Sequence, residues 1–356
     1  MTNVTVLGAG AWGTTFGQVL ADAGNNVTMW AIEPEIVEGI RDHHHNGVRL
    51  PSVAVLPSNM TATGDRAEAV RDADIIIVAI AAQFARVALQ EFKDLIPKTA
   101  LVASLMKGIE RSTGKRMDEV VTETLDLPAE RFAAISGPNL SKQIADREPA
   151  ATVVGCTDLD NARTIAAACS TDYFRAFVTR DVIGLEMCGS LKNVVALAVG
   201  MARGAGYGED NGAMIQTRAF REKVELMVKN HRENTAAMIE TRGLAELTAL
   251  GAAAGADPKT FAGLAGVGDM IATCGSPLSR NYTFGSNLGK GLSVEEATKV
   301  SNGVAEGVPT TDAVVALGKQ YGVATPLATA MSHVLSDGIS CAQMLSELFD
   351  EGISEE

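Results

Sequence analysis

The sequence predicts an α/β domain with a mostly parallel sheet, followed by an all-α domain. Short apolar runs alternate with small-residue helical stretches over the first half of the chain, as is typical of parallel sheets. After about residue 182, long Ala-, Leu- and Gly-rich segments with helical spacing replace them. The length of 356 residues suits two domains, at roughly 150 residues each. We therefore predict a first domain over residues 1–182 and a second over residues 183–356.

The first domain contains seven candidate strands. They cover residues 4–9, 26–31, 73–80, 100–106, 132–137, 150–155 and 174–179. Several, such as ADIIIVAI at 73–80, are continuous apolar runs, which is expected of strands covered by helices on both faces. The second domain is predicted to be helical, with a turn signal at GADP (255–258).

Composition limits the partners and the location of the protein. With 30 Lys+Arg against 43 Asp+Glu, the net charge is −13, which disfavours nucleic acid and anionic lipid as partners. No run of about 18 apolar residues is found, so no membrane insertion is expected. Five scattered cysteines without a CxxC pair, and a start that lacks a basic signal segment, predict a cytoplasmic protein. No metal site is predicted, since the only histidine cluster is a consecutive triplet (43–45) in a polar connection.

One segment is repeated. AMIQTR (213–218) recurs 24 residues later as AMIETR (237–242), so we predict a duplicated insertion over about 213–236. A duplication tolerated on the surface is one explanation, and a partner site on the basic residues within it is the other. Those basic residues are Arg221, Lys223, Lys229 and Arg232.

A glycine-rich turn follows the first candidate strand. Gly8, Gly10 and Gly13 form a GxGxxG run that enters a helix-compatible segment and leads to a second strand. In a Rossmann-like fold such glycines permit a tight turn, close approach of a pyrophosphate and close helix–sheet packing. The helix N-terminus stabilises the phosphate charge. The sequence therefore predicts a dinucleotide site at Gly8, Gly10, Ala11, Trp12 and Gly13.

Glu33 lies just after the end of the second candidate strand, where an acidic side chain hydrogen-bonds the 2′-hydroxyl of the adenosine ribose. It would repel a 2′-phosphate, and neither Ile32 nor Glu33 supplies a cation. We therefore predict NAD in preference to NADP, with NADP still possible. A solvated turn residue is the alternative role for Glu33.

Two lysines are candidates for the chemistry. Lys107 follows the strand at 100–106, at the edge of a parallel sheet where ligands bind. Lys192 lies in CGSLKNVVALAVG, an otherwise apolar helix, where burial favours proton transfer by an ammonium. Taken alone, a lysine of either kind is more often an ordinary surface charge.

Seven further motifs follow the glycine run in order: VASLMKGIE, ISGPNLSK, GSLKNVVALAVGM, TRGLAEL, GLAGVGDMIATC, SRNYTFG and VAEG. Together they resemble the bacterial type of the NAD(P)-dependent glycerol-3-phosphate dehydrogenases over essentially the whole chain. The resemblance implies an oxidoreductase that reversibly reduces dihydroxyacetone phosphate to sn-glycerol 3-phosphate for phospholipid biosynthesis. It also implies a homodimer. The insertion is the main departure, because the family pattern has one such helix start and this chain has two candidates.

The resemblance implies a role for each matched residue. Lys192 would be the catalytic acid/base. The implied substrate contacts are Lys107, Gly137, Asn193, Asp269, Ser279, Arg280 and Asn281. The implied cofactor contacts are the glycine loop, Glu33, Lys107, Arg280, Val304 and Glu306. Because Lys107 lies in the first domain and most other groups in the second, we expect substrate to bind between the domains, and domain closure to exclude water.

Two alternatives stay open from sequence. One is a related two-domain, lysine-dependent reductase of another small keto or hydroxy acid, such as a ketopantoate-reductase-like enzyme. The other is a dinucleotide-binding sensor without chemistry. The SRN triplet at 279–281 argues against the first, because a substrate without phosphate does not need Arg280 and Asn281 together.

Overall fold

The computed structural model describes residues 1–205, 233–301 and 305–349. The chain forms two compact units, the first of residues 1–189 and 254–269, the second of residues 190–253 and 270–356. This division differs from a single boundary at 182/183. The carboxylate of Asp181 accepts the backbone N–H of Asp257 at 3.0 Å and the hydroxyl of Thr260, so this later segment packs back on the first unit.

The first unit is built on an eight-stranded sheet in the order β3-β2-β1-β4-β5-β6-β7-β8. The strands are β1 Asn3–Leu7, β2 Asn26–Trp30, β3 Met60–Thr63, β4 Ile75–Val78, β5 Leu101–Ser104, β6 Phe132–Ser136, β7 Ala150–Gly155 and β8 Phe174–Thr179. All neighbours are parallel except β6 and β7. The mostly parallel α/β fold is therefore confirmed. The sequence did not predict β3, because MTAT is a short edge strand without an apolar run.

Helices and turns fill the connections of this unit. The helices are α1 Ala11–Asp22, α2 Pro34–His43, α3 Arg66–Val70, α4 Ala85–Gln90, α5 Met117–Leu125, α6 Ser141–Ala145 and α7 Leu159–Ala168. Because β1, β4, β5 and β6 run parallel, the residues that follow them lie at one edge of the sheet. That edge receives the glycine loop, the Lys107 segment and the Gly137 turn.

The described residues beyond β8 form helices and contain no strand. They are α8 Val182–Gly204, α9 Glu233–Ala253, α10 Pro258–Phe261, α11 Asp269–Cys274, α12 Arg280–Gly289, α13 Val294–Val300, α14 Gly307–Tyr321, α15 Pro326–Asp337 and α16 Cys341–Phe349. A π-helical turn, Leu264–Gly268, precedes α11. The predicted all-α character of the second half is confirmed over these residues.

Backbone-to-backbone contacts join α8 and α12. A Cβ atom built on Gly200 would lie 2.1 Å from the Tyr282 carbonyl oxygen, and one built on Gly285 would lie 2.0 Å from that of Leu197. Gly204 and Gly289 are equally tight, each 2.1 Å from a carbonyl oxygen of the other helix. Side chains at these positions would force the helices apart, so glycine sets their spacing.

By length and composition α8 could cross a membrane, with a mean hydropathy of 1.6 over its most apolar window. That window is 94% buried inside the protein, as in the core helix of a soluble protein. Glu186 lies within it and is 4% exposed, with its carboxylate accepting the Met117 N–H at 3.2 Å. Burial raises the pKa of Glu186 well above its ordinary value, and Asp118 adds to this effect while Arg116 opposes it.

A raised folded-state pKa makes stability depend on pH. The neutral form of Glu186 suits the fold, so its contribution is complete below the unfolded pKa of about 4.3 and falls as pH rises toward the folded value. Glu186→Gln mimics the neutral form. We expect its Tm to match that of the parent near pH 5 and to exceed it at pH 8, as thermal unfolding would measure.

The matched control is Glu38→Gln, at an exposed position on α2. It should follow the parent at both pH values. Parallel Tm curves for Glu186→Gln and the parent would contradict the assignment of a neutral buried carboxyl group.

Candidate active site

The glycine loop connects β1 to α1 at the ligand edge of the sheet. Gly8 has φ +113°, a backbone conformation that favours glycine, and a Cβ there would lie 2.6 Å from the Ala79 oxygen. A Cβ on Gly13 would lie 2.1 Å from the Gly8 oxygen, whereas nothing lies within 4 Å of one on Gly10. The loop is therefore closed on its sheet side and open above Gly10.

The start of α1 is suited to an anion. Gly10 is its N-cap and provides no side-chain cap, and the first turn holds no acidic residue. Trp12 packs edge-on against Phe16, with ring centroids 5.5 Å apart, which anchors this turn to the core. Backbone N–H groups and the helix dipole face the space above Gly10, which is the arrangement that binds a dinucleotide pyrophosphate. The residues present thus fit a dinucleotide.

Glu33 lies three residues after the end of β2 and is the N-cap of α2. Its Oε1 atom lies 3.0 Å from Nη2 of Arg49. We predicted NAD in part because neither Ile32 nor Glu33 supplies a cation, but the structure places the Arg49 guanidinium beside Glu33 from 16 residues further along the chain. A 2′-phosphate at this position would therefore meet less negative charge than the sequence alone indicates.

Lys107 follows β5, at the predicted edge of the sheet. Its Nζ donates hydrogen bonds to Asp269 Oδ2 at 2.7 Å and to the Gly137 carbonyl oxygen at 3.2 Å. The lysine side chain is 19% exposed and the aspartate 2%. Three predicted substrate contacts are thus brought together in the first unit. Asp269 follows the π-helical turn, a kind of local irregularity that is frequent at functional sites.

Gly189 explains how α8 approaches this group. A Cβ at Gly189 would lie 3.3 Å from Lys107 Cγ and 2.9 Å from Ser136 Oγ. Ser136 Oγ is buried without a hydrogen-bond partner. The glycine of the GSLKN motif therefore makes room for the stem of Lys107.

Lys192, in the second unit, is buried at 5% exposure on α8. Its Nζ donates a hydrogen bond to Thr273 Oγ1 at 2.6 Å. The predicted burial of this ammonium is confirmed. Thr273 was not predicted as a site residue, although it lies in the GLAGVGDMIATC motif. A threonine within a helix has no sequence signal that predicts a contact with a distant lysine.

Two asparagines connect α8 to α12. Asn281 Nδ2 donates to Asn193 Oδ1 at 2.8 Å, and Asn281 Oδ1 accepts the Gly307 N–H at 2.8 Å. Ser279 is the N-cap of α12, where its hydroxyl accepts the Tyr282 N–H at 3.2 Å. Predicted substrate contacts Asn193, Ser279 and Asn281 are therefore neighbours within the second unit.

The predicted cofactor contacts of this unit differ in their surroundings. Arg280 is exposed at the first position of α12. Burial raises the pKa of Glu306, with Arg280 opposing the shift, and Glu306 Oε2 is buried without a hydrogen-bond partner.

Val304 lies outside the described residues, as does most of the predicted insertion. Within the described part of the chain, no three His, Cys, Asp or Glu side chains group as metal ligands.

The chain matches both family models of NAD-dependent glycerol-3-phosphate dehydrogenase. The N-terminal model covers residues 3–162, and the C-terminal model covers residues 181–233 and 227–346. The second match is split, and its parts overlap at residues 227–233, within the predicted insertion, as expected of a duplication.

Full-length relatives agree with these models. A Bifidobacterium longum protein named glycerol-3-phosphate dehydrogenase [NAD(P)+] is 75% identical over 354 residues, 99% of each chain. A protein of the same name from Corynebacterium kroppenstedtii is 44% identical over the whole of both chains. The crystal structure of glycerol-3-phosphate dehydrogenase from Coxiella burnetii superposes with a TM-score of 0.86 at 28% identity, covering 98% of this chain and 99% of that one. This chain belongs to the NAD-dependent glycerol-3-phosphate dehydrogenase family of oxidoreductases.

Proposed function

We propose that this chain reversibly reduces dihydroxyacetone phosphate to sn-glycerol 3-phosphate with NAD(P)H, and that Lys192 is the general acid and base. One observation carries the proposal. Lys192 and Arg280 each adjoin a member of the Asn193–Asn281 pair, whose side chains are hydrogen-bonded at 2.8 Å. The buried ammonium of Lys192 and the exposed guanidinium of Arg280 therefore lie on two helices, α8 and α12, that this hydrogen bond joins. Such a pair of cations suits a small substrate with a carbonyl at one end and a phosphate at the other.

The proposed reaction transfers one hydride and one proton to the substrate carbonyl group. When bound, the reduced nicotinamide supplies a hydride to C2 of the substrate. As the carbonyl oxygen gains negative charge, Lys192 Nζ donates a proton to it, and the product is a secondary alcohol. In the reverse direction the neutral amine of Lys192 accepts that proton. Burial at 5% exposure keeps water away from Nζ, so the transfer is directed to substrate.

Lys107 has a different proposed role. Its ion pair with Asp269 holds the ammonium in place and partly neutralises it. Lys107 then supplies positive potential and a hydrogen bond to substrate rather than a proton. The prediction that substrate binds between the two domains stays a prediction.

The phosphate is proposed to bind at the start of α12. Arg280 is at its first helical position, the first turn holds no acidic residue, and Ser279 caps it. A guanidinium fork suits phosphate oxygens, and the helix N-terminus adds a favourable dipole. The supply of glycerol 3-phosphate to phospholipid synthesis, a cytoplasmic location and a homodimer complete the proposal and rest on the family alone.

Lys192→Ala tests the proton-transfer role. We expect kcat to fall by about 10²- to 10⁴-fold, the usual contribution of a general acid, in an assay of NADH or NADPH oxidation with dihydroxyacetone phosphate. Binding of the dinucleotide should be unchanged. Lys98→Ala, at an exposed position, is the control, and full activity in Lys192→Ala would reject the role.

Arg280→Gln tests recognition of the phosphate. Losing a charge-assisted contact should lower kcat/KM for dihydroxyacetone phosphate by about 10- to 100-fold. The low kcat/KM for dihydroxyacetone, which lacks the phosphate, should change by less than about 3-fold, because no such contact exists to lose. Arg163→Gln, on the exposed surface of α7, serves as the control. An equal loss for both substrates would assign Arg280 to another role.

Thr273→Val tests the partner of Lys192. Valine keeps the shape but removes the hydroxyl that accepts from Nζ, so kcat should fall by about 10-fold. The pH profile of kcat should move to lower pH, because the charged ammonium loses a stabilising hydrogen bond. Thr273→Ser should restore both values. A profile that stays in place would show that Thr273 only fills space.

A further inference from the structure

The connection between β5 and α5 carries Lys107 and then closes into a turn. The Glu110 backbone N–H donates to the Lys115 carbonyl oxygen, and the Glu110 carbonyl oxygen accepts the Gly114 N–H, both at 2.8 Å. These two hydrogen bonds make residues 110–115 one compact piece of backbone. Contacts to any part of this turn therefore set the position of the chain that leads into it.

Arg86, on α4, binds the carboxylate of that turn. Its Nε atom donates to Glu110 Oε1 and its Nη2 atom to Glu110 Oε2, both at 2.9 Å, which is the bidentate geometry of a strong ion pair. The Glu110 side chain is 7% exposed and that of Arg86 is 35% exposed, so the pair is partly shielded from water. The hydrogen bond from Arg86 lowers the pKa of the Glu110 carboxyl group below its ordinary value, so the pair persists at neutral pH.

Gln83 binds the backbone of the same segment. It lies in the 3₁₀ turn Ala82–Phe84, directly before α4. Its Nε2 atom donates to the Ile109 carbonyl oxygen at 2.8 Å, and its Oε1 atom accepts the Arg111 N–H at 3.0 Å. One amide thus satisfies a backbone acceptor and a backbone donor on either side of Glu110. The segment after β4 therefore holds the segment after β5 through a neutral contact and a charged one.

The ammonium of Lys107 depends on where its backbone lies. A lysine side chain is a flexible four-carbon stem, and its rotamers can carry the charge in many directions. Here Nζ donates to Asp269 Oδ2 at 2.7 Å and to the Gly137 carbonyl oxygen at 3.2 Å. To make both contacts at once, the backbone at Lys107 must stay within a fraction of an ångström of its place.

We propose that Gln83 and Arg86 are positioning residues for Lys107, which hold the turn that follows it so that Nζ reaches Asp269 and the Gly137 carbonyl oxygen. Neither side chain needs to contact substrate for this role. The inference rests on the proposed function only where it concerns the substrate contact of Lys107, because the placement of its ammonium is a property of the chain itself.

Acylation of Lys107 tests its placement without turnover. The Lys107 side chain is 19% exposed and its Nζ is engaged by two acceptors, so succinimidyl acetate should reach it slowly. In the full chain, Arg86→Gln and Gln83→Ala should each raise the rate of labelling at Lys107 by about 3- to 10-fold, as peptide mass spectrometry would measure. Labelling of the exposed Lys98 in the same samples corrects for the activity of the reagent.

Glu123→Gln is the matched control. Glu123 is 44% exposed and accepts a second contact from Arg86 Nη2, at 3.3 Å. Its replacement removes a carboxylate partner of Arg86 and leaves the pair with Glu110 intact. The rate of labelling at Lys107 should therefore stay at the parent value.

Kinetics with dihydroxyacetone phosphate test whether the placement matters for the reaction. Arg86→Gln and Gln83→Ala should each lower kcat/KM by about 10-fold, since a small misplacement of a contacting group is costly. In a Lys107→Ala background, adding Arg86→Gln should change kcat/KM by less than about 2-fold, because no ammonium remains to be placed. A purely structural role of Arg86 would instead give the same loss in both backgrounds.

Unchanged labelling of Lys107 in Arg86→Gln and in Gln83→Ala would overturn the proposal, as would additive losses of kcat/KM. Where Arg86→Gln does not fold, because it leaves the Glu110 carboxylate without its cation, Gln83→Ala decides, since it removes only neutral contacts. A parent chain that does not reduce dihydroxyacetone phosphate would reject the proposed function, and the labelling rates would still decide whether Gln83 and Arg86 place Lys107.

Discussion

The second unit depends on the distance between two helices. Gly200 and Gly204 on α8 face carbonyl oxygens of α12, while Gly285 and Gly289 on α12 face those of α8. Interiors pack too densely for a methyl group to fit where a backbone oxygen is 2 Å away. Because these glycines let the helices touch, the Asn193 and Asn281 side chains can meet, and Lys192 and Arg280 take their places beside them.

In the first unit, glycines permit equally close packing at the loop between β1 and α1. Gly8 and Gly13 allow the β1–α1 turn to close against Ala79 and against itself, and Gly189 makes room for the stem of Lys107. Backbone groups thereby come within reach of ligands that side chains would otherwise exclude. Part of the high glycine content, 35 residues in 356, thus reflects close contacts in both units.

The sequence predicted what short-range patterns encode. Apolar runs identified every strand except the short edge strand β3, and the motifs identified Lys107, Gly137 and Asp269, which the structure joins. Contacts between distant polar residues were not predictable. Arg49 lies in a polar connection, and no sequence pattern there predicts its ion pair with Glu33. Asn46 directly follows three histidines, and no pattern predicts its hydrogen bond to the Ala9 carbonyl oxygen of the glycine loop. The return of residues 254–269 to the first unit likewise involves side chains far apart in sequence, Asp181 and Lys107, whose contacts no periodicity reveals.

Asn46 and Arg49 divide two tasks between neighbouring positions. The buried amide maintains the scaffold through Ala9 and Thr14, while the exposed guanidinium pairs with the Glu33 carboxylate at the surface. Surface substitutions away from special features usually change stability by less than about 0.5 kcal/mol. A substitution at position 49 should therefore cost the fold little, while it changes the charge that lies beside Glu33.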